Sequence, residues 1–448
     1  MNERPRRHRP PSARSLAADA LLRVFHDQAF AAAVLDAAFA RQVGLDPRDR
    51  GLATELTYGV LRTAPFLESR LAPFAKRGID KLDPTVRVHL LVATYQLLFL
   101  DRVPAFAAVS EAVDLIRNAR GPKLGAFANA ILRRVAEQAK TDRVPLERAM
   151  REAAAPWLFE ALSRALGEEG AEALLLAGPI PPPIGLRLRS GEDREAWIRR
   201  WQEALPSASF EPGKVSRRTV LLRGGGDPRK LAGFTDGAFI VQEEGSAAVA
   251  TSLGAQPGET VLDACAGRGN KTSLLAESVG SKGAVDAADL HEAKLERLKK
   301  ELARLGLSVR ATYPTDWTVG PGEVREGYDR VLVDAPCSGI GTLRRRPDLA
   351  TRRQTIDLAE IADRQCRILS NAASRVRKGG VLVYAVCSVL REEAEDVVEK
   401  VLASRADLMP IPIPDPGLRE MANGAASLRL VPHLHGTDGY FIASFVRR

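Results

Sequence analysis

Apolar residues recur at three- and four-residue spacing through 17–24, 52–61, 86–100 and 107–116, the spacing that gathers them on one face of a helix. Few β-branched runs or Gly-Pro turns interrupt this region, so residues 15–140 are predicted to form an all-α bundle of ordinary domain size. From residue 245 the pattern changes. Strand-like segments at 260–264, 284–288, 310–313, 330–333, 380–385 and 440–446 alternate with helical stretches at 271–279, 291–305, 354–377 and 391–403. Such alternation predicts an α/β domain with a doubly wound, mostly parallel sheet over residues 241–448. The runs before Asp334 and Cys387 lack polar alternation, as central strands covered on both faces do. Between these regions, residues 150–240 mix short β-like pieces (184–188, 219–222, 238–241) with a helix carrying Trp197 and Trp201, which predicts a small α+β module. The chain is therefore multi-domain.

At 448 residues, 45% of them hydrophobic, the chain can bury several cores, and its net charge of +9 favours a polyanionic partner. Arg4, Arg6, Arg7, Arg9 and Arg14 are interleaved with prolines, so residues 1–14 are predicted to be a disordered basic arm. No apolar core follows this basic start, and the longest apolar run, 88–100, is broken by His89, Thr94 and Gln96 and is too short to span a bilayer. The four cysteines, Cys265, Cys337, Cys366 and Cys387, contain no Cys-x-x-Cys pair. That spacing argues against a structural zinc site or a disulfide framework. A cytoplasmic protein with reduced thiols, no metal and no membrane contact is expected.

Residues 261–272 read as a strand, a glycine turn (Gly267-Arg-Gly269) and a helix start. Glycines let a ligand approach the backbone, and free amides face it from the helix N-terminus. The next strand ends at Asp289, where an acid can accept hydrogen bonds from ribose hydroxyls. Three ligands compete. A phosphate loop requires glycine where Asn270 stands, and a dinucleotide fingerprint requires one where Thr272 stands. S-adenosylmethionine uses a glycine turn and a ribose-binding acid without a pyrophosphate.

Cys337 and Cys387 each follow a buried strand, and ligands in open α/β sheets gather at the carboxyl ends of strands. Two of four cysteines at one site suggest thiol chemistry. Carbon 5 of cytosine is a poor nucleophile until a thiolate adds at carbon 6, which divides one hard step into two easier ones. Asp334 is placed to hold the N3 and amino edge of the ring. Cys387 can supply the thiolate, and Cys337 can assist departure or proton removal. Cys265 and Cys366 read as packing cysteines.

Asp334-Ala-Pro-Cys-Ser-Gly339, Arg344-Arg-Arg-Pro-Asp348, Tyr384-Ala-Val-Cys-Ser-Val389 with Glu392 and Glu393, Gln242-Glu-Glu-Gly-Ser246 and the segment 432–441 together resemble the RNA cytosine-5 methyltransferases of the Sun family. Glu55-Leu-Thr-Tyr-Gly-Val-Leu-Arg62, Tyr95-Gln-Leu-Leu-Phe99 and Asn129-Ala-Ile-Leu-Arg-Arg134 are similar to the NusB-like RNA-binding domain. The resemblance covers nearly the whole chain. It implies a Rossmann-like methyltransferase domain, with S-adenosylmethionine held by Cys265, Ala266, Gly267, Arg268, Gly269, Asn270 and Lys271 and by Asp289, Asp316 and Asp334. It also implies that Cys387 attacks carbon 6 while Cys337 promotes release of methylated RNA. This order reverses that of the DNA enzymes, whose Pro-Cys cysteine is the nucleophile. The family turn reads Ala-Pro-Gly-Gly where this chain has Gly267-Arg-Gly-Asn, and Val386 stands where a threonine is customary.

The implied partner is 16S rRNA carrying an unstacked cytidine, met by a monomer. Arg344, Arg345 and Arg346, the Arg352-Arg353 pair and the N-terminal arm are candidates for phosphate contact. Competing readings are a tRNA substrate, a nicotinamide-dependent oxidoreductase and a non-catalytic assembly factor. The oxidoreductase leaves the cysteine pair unexplained, and intact Lys271, Asp334, Cys337 and Cys387 speak against a vestigial site.

Overall fold

The structure, a computed structural model, describes residues 11–42, 44–75, 77–178, 181–355 and 357–448, with the side chains of 352–355 outside the description. Two compact units emerge. The first contains helices Ala13–Asp27, Ala31–Arg41, Pro47–Leu71, Pro84–Phe99, Ala105–Arg120, Pro122–Thr141 and Leu146–Ala153. Asp46 and Asp83 cap the helices that begin with Pro47 and Pro84, their carboxylates accepting first-turn amides, and proline at the first position costs no hydrogen bond. Leu56, Val60, Leu67, Leu90 and Leu91 are fully buried in the shared core. Tyr95 lies over Gly59, where a Cβ would sit 2.1 Å from the ring, and its hydroxyl donates to Glu55 at 2.6 Å.

The expected basic arm is only partly within the described residues, since 1–10 lie outside them. Helix formation begins at Ala13, before the expected end of the arm, because Arg14 is tied down by Glu111 and Gln96, each at 2.6 Å. The first unit also includes Leu343–Arg353.

The second unit holds two sheets. Strands β1 (Ile184–Leu188), β2 (Ser209–Pro212), β3 (Thr219–Arg223) and β4 (Phe239–Val241) form an antiparallel sheet in the order β2-β3-β1-β4. Trp201, on helix Arg194–Ala204, fills its core against Phe210 and Phe239. The large sheet comprises β5 (Thr260–Asp263), β6 (Ala284–Asp289), β7 (Ala311–Pro314), β8 (Tyr328–Asp334), β9 (Val376–Val386), β10 (Leu408–Pro410), β11 (Ser427–Leu430) and β12 (Tyr440–Arg447). Its order is β10-β12-β9-β8-β5-β6-β7, with β11 on β12. Strands β5 to β9 run parallel, and β10, β11 and β12 join antiparallel. The Rossmann-like expectation therefore holds. The order reverses at β5, flanked by β6 and β8, and this switch point opens the ligand crevice.

Some element bounds differ from expectation. The helix expected over 354–377 is Leu358–Ala373, because Val376 already pairs with Tyr328 in β9. β2, β10 and β11, of three or four residues each, lie outside the expected strands.

The small sheet shares its unit with the large one, and a buried cation ties them. Arg187 on β1 is fully buried; its Nε donates to Gln242 at 2.7 Å, its Nη2 to Ser273 at 2.6 Å, and Glu277 lies 3.4 Å away. Arg218 also pairs with Glu277. Burial lowers the Arg187 pKa to about 10 against the pull of Glu277. Without Arg187, Gln242 and Ser273 lose their buried donor while Arg218 still pairs with Glu277. Arg187→Ala is therefore expected to destabilise this unit by about 1–3 kcal/mol, read as a lowered urea midpoint; an unchanged midpoint contradicts it.

Candidate active site

The glycine turn follows β5. Gly269 adopts φ +91° and starts helix Asn270–Val279 without a side-chain cap, and a Cβ there would meet Leu298 at 2.8 Å. Only glycine fits both demands, and the uncapped helix end keeps backbone donors facing the crevice. At the end of β6, the Asp289 carboxylate accepts from the Gly267 amide at 3.0 Å and the His291 amide at 2.9 Å, with Lys294 at 3.2 Å. The two halves of the expected cofactor site are thus joined directly. Ala266 is buried and its amide donates to Ala288, whereas Arg268 is exposed. Asn270 reaches the Val241 carbonyl at 3.4 Å. Cys265 packs against the core beneath, and burial raises its thiol well above the usual range. Asp316 is exposed; its carboxylate accepts from the hydroxyl and amide of Thr318, which lower its pKa.

Lys271 bridges this turn to the second half of the site. Its Nζ donates to Asp334 Oδ2 at 2.6 Å. Burial works against the ammonium, but Asp334 outweighs it, helped by Asp263 and Cys387, so the lysine pKa is raised. Below them Asp263 is fully buried, accepts from Thr272 Oγ1 at 2.7 Å, and is pushed up to about 6 by burial.

β8 and β9 pair with Asp334 opposite Ala385, and the Ala335 amide extends the pairing to the Ala385 carbonyl at 2.8 Å. The chain then turns at Pro336, which offers no amide. Cys337 and Cys387 consequently emerge side by side, with their Sγ atoms 3.2 Å apart. The hydrogen bond to Cys387 and burial push the Cys337 thiol up. The carbonyl of Cys387 accepts from Gly341 at 3.1 Å, and Gly341 in turn accepts from Gly439 at 2.7 Å. A Cβ on Gly341 would stand 2.1 Å from the Gly439 oxygen.

The structure thus brings together Asp263, Lys271, Asp334, Cys337 and Cys387. It leaves Cys366 apart, facing the Val397 carbonyl at 4.0 Å. Arg344, Arg345 and Arg346, expected to meet phosphate, differ in exposure. Arg344 is buried, with its carbonyl accepting from Arg62 at 3.1 Å, Arg345 is partly buried, and the Arg346 guanidinium lies 4.9 Å from the Phe30 ring. Tertiary packing, invisible in a run of arginines, accounts for this. The side chains of Arg352 and Arg353 lie outside the described residues. Two residues not singled out as candidates line the cysteine turns: Gln365, whose Nε2 donates to the Pro336 carbonyl at 3.0 Å, and Glu393. Both are fully buried. The Glu392-Glu393 pair was visible only as part of a motif. Among the described residues no helix is long and apolar enough to cross a membrane.

The chain thus carries a Rossmann-like sheet with a glycine turn at its switch point, and a separate helical unit. The family described as 16S rRNA methyltransferase RsmB/F matches residues 250–446, and the NusB family matches residues 11–137. The probable ribosomal RNA small subunit methyltransferase B of Bacillus subtilis is 34% identical, covering 98% of this chain and 99% of its own. The ribosomal RNA small subunit methyltransferase B of Pseudomonas syringae pv. tomato is 32% identical, covering 89% and 90%. The crystal structure of PH0851 shares the fold at TM-score 0.79 over 98% of this chain and 99% of its own, with 24% identity. The chain belongs to the ribosomal RNA small subunit methyltransferase B family and is an S-adenosylmethionine-dependent RNA methyltransferase.

Asp263 gives a pH test. Its folded pKa lies above the unfolded value, so the native state holds a proton that the unfolded chain has released, and wild-type stability falls as pH rises through that window. Asp263→Asn does not titrate and should gain on the wild type by roughly 3 kcal/mol between about pH 3 and about pH 7. Parallel urea titrations check this; a constant difference contradicts it.

Proposed function

We propose that this enzyme methylates carbon 5 of a cytidine in 16S rRNA through a covalent adduct on Cys387, with Cys337 promoting release. The observation that carries the reading is the cysteine pair at 3.2 Å beside the Lys271–Asp334 pair. The cofactor turn fits S-adenosylmethionine: an uncapped helix start, a glycine that tolerates no side chain, and the Asp289 carboxylate already oriented by the Gly267 amide. Gly267, Gly269, Lys271 and Asp289 would hold it, with Asp316 at the rim. Bound there, it supplies a methyl group on a sulfonium.

The protein's own residues do the rest. Asp334 accepts from the cytosine amino edge, and the Lys271 ammonium, donating to Oδ2, orients that carboxylate. The Cys387 thiolate adds to carbon 6, forming an S–C bond and making carbon 5 nucleophilic enough to take the methyl group. Loss of the carbon 5 proton to a base then expels the Cys387 thiolate, breaking the S–C bond and restoring the aromatic ring. Cys337, held against Cys387, is placed to serve that second half. The base must be unstacked to admit a sulfur above its ring. The helical unit, matching a family read as RNA-binding from the sequence, supplies the rRNA contact in this account.

Two substitutions test the roles. Cys387→Ala is expected to abolish methyl transfer to unmodified 16S rRNA, followed by bisulfite mapping; retained 5-methylcytidine would sink the assignment. Cys337→Ala should instead accumulate an RNA–protein adduct that survives denaturant. That adduct should vanish in the double variant, and its persistence would point to another nucleophile.

A further inference from the structure

Each reactive cysteine is followed by a serine, and the two Cys-Ser turns are built alike. Ser338 Oγ accepts from the Ile340 amide and Ser388 Oγ accepts from the Leu390 amide, both at 3.3 Å. Each hydroxyl donates its own proton to one atom, Oε2 of Glu393, at 2.6 Å in the case of Ser388. The other carboxylate oxygen, Oε1, accepts from the Ser338 amide at 2.7 Å and from Gln365 Nε2 at 3.1 Å. Tyr384, three residues before Cys387, donates its hydroxyl to the Glu393 carbonyl at 2.7 Å.

We propose that Glu393 is a positioning residue that locks the turn carrying Cys337 to the turn carrying Cys387, so that both sulfurs face one substrate base. The proposal rests on the cysteine reading above. Glu393 is fully buried, as are Ser388 and Gln365. Burying a carboxylate is costly unless every lone pair finds a donor. Here four donors converge on it, from both turns and from helix Leu358–Ala373. Apolar packing would join two loops without that cost, but it would not set the register of two neighbouring sulfurs. The strand pairing ends at Ala335 and Ala385, so beyond that point the Glu393 bridge and the Gly341–Cys387 backbone bond hold the loops. The negative charge of Glu393 also adds to the effects that keep the Cys337 thiol protonated. That suits a partner which waits while Cys387 attacks.

The test uses the full chain and a readout independent of methyl transfer: the rate at which diamide closes Cys337 and Cys387 into a disulfide. Diamide takes up two electrons and two protons as the S–S bond forms, and peptide mass mapping identifies the pair. Alkylation of Cys366 in the same samples is the internal control for folding. Glu393→Ala is expected to slow closure about 10-fold and to lower kcat about 100-fold, the loss typical of misplaced reacting groups, with the KM for S-adenosylmethionine within about 2-fold. Glu393→Gln, which keeps an acceptor for the Ser338 amide, should recover part of both. If Glu393→Ala does not fold, Ser338→Ala and Ser388→Ala each remove one bond. Ser388→Ala should slow adduct formation, and Ser338→Ala should slow adduct release. Wild-type closure and kcat in the folded Glu393 variants, or in both serine variants, overturns the proposal. A Cys387→Ala enzyme that still methylates overturns the cysteine mechanism instead, while the closure rates judge Glu393 separately.

Discussion

Parallel pairing of β8 with β9, with Asp334 opposite Ala385, is the constraint on which the site depends. Neighbouring parallel strands end at the same height, so whatever follows each strand must share one rim of the sheet. A three-residue step from Asp334 to Cys337 and a two-residue step from Ala385 to Cys387 then bring the sulfurs together. β5, on the other side of β8, delivers the glycine turn and Lys271 to the same rim. Two chemistries read separately along the chain, a cofactor turn and a thiol pair, are joined there by the Lys271–Asp334 contact.

The unit also buries several charged groups, and each joins separate elements of the fold. Arg187 holds the small sheet to helix Asn270–Val279 through Glu277 and Ser273. Asp286, fully buried on β6, accepts from Arg310 and from the Tyr328 hydroxyl, both at 2.6 Å. Asp263 holds Thr272 in the first turn of helix Asn270–Val279, and Glu393 holds the cysteine turns. Such groups stabilise little beyond what apolar residues of equal size would, because desolvation offsets most of the attraction. What they add is direction: a hydrogen bond fixes an orientation that packing alone leaves loose.

Legibility from the chain follows the range of the interactions. The strands preceding Asp334 and Cys387 are unbroken apolar runs, and the helical unit repeats its apolar face over whole turns, so each declares itself over a few residues. β2, β10 and β11 become strands only by pairing with β3 and β12, and the end of helix Leu358–Ala373 is decided by Val376 pairing with Tyr328. Arg344, Arg345 and Arg346 look like a phosphate-binding strip in one dimension. In three dimensions Arg344 is buried and Arg346 lies over Phe30, because the segment Leu343–Arg353 packs within the helical unit.

By itself the sequence determined the two kinds of unit, the strand ends that bear Asp334, Cys337 and Cys387, and the glycine turn before Lys271. Hydrophobic period, turn residues and motif spacing are local properties that no distant contact needs to complete. Only the tertiary structure decided that Lys271 belongs to Asp334, that the two sulfurs lie within touching distance, and that Glu393 joins the serines beside them. Those facts depend on which strands lie side by side and on donors fifty or more residues apart converging on one buried oxygen. The free energy that selects them, the desolvation of a buried charge against its hydrogen bonds, exists only once the chain has folded.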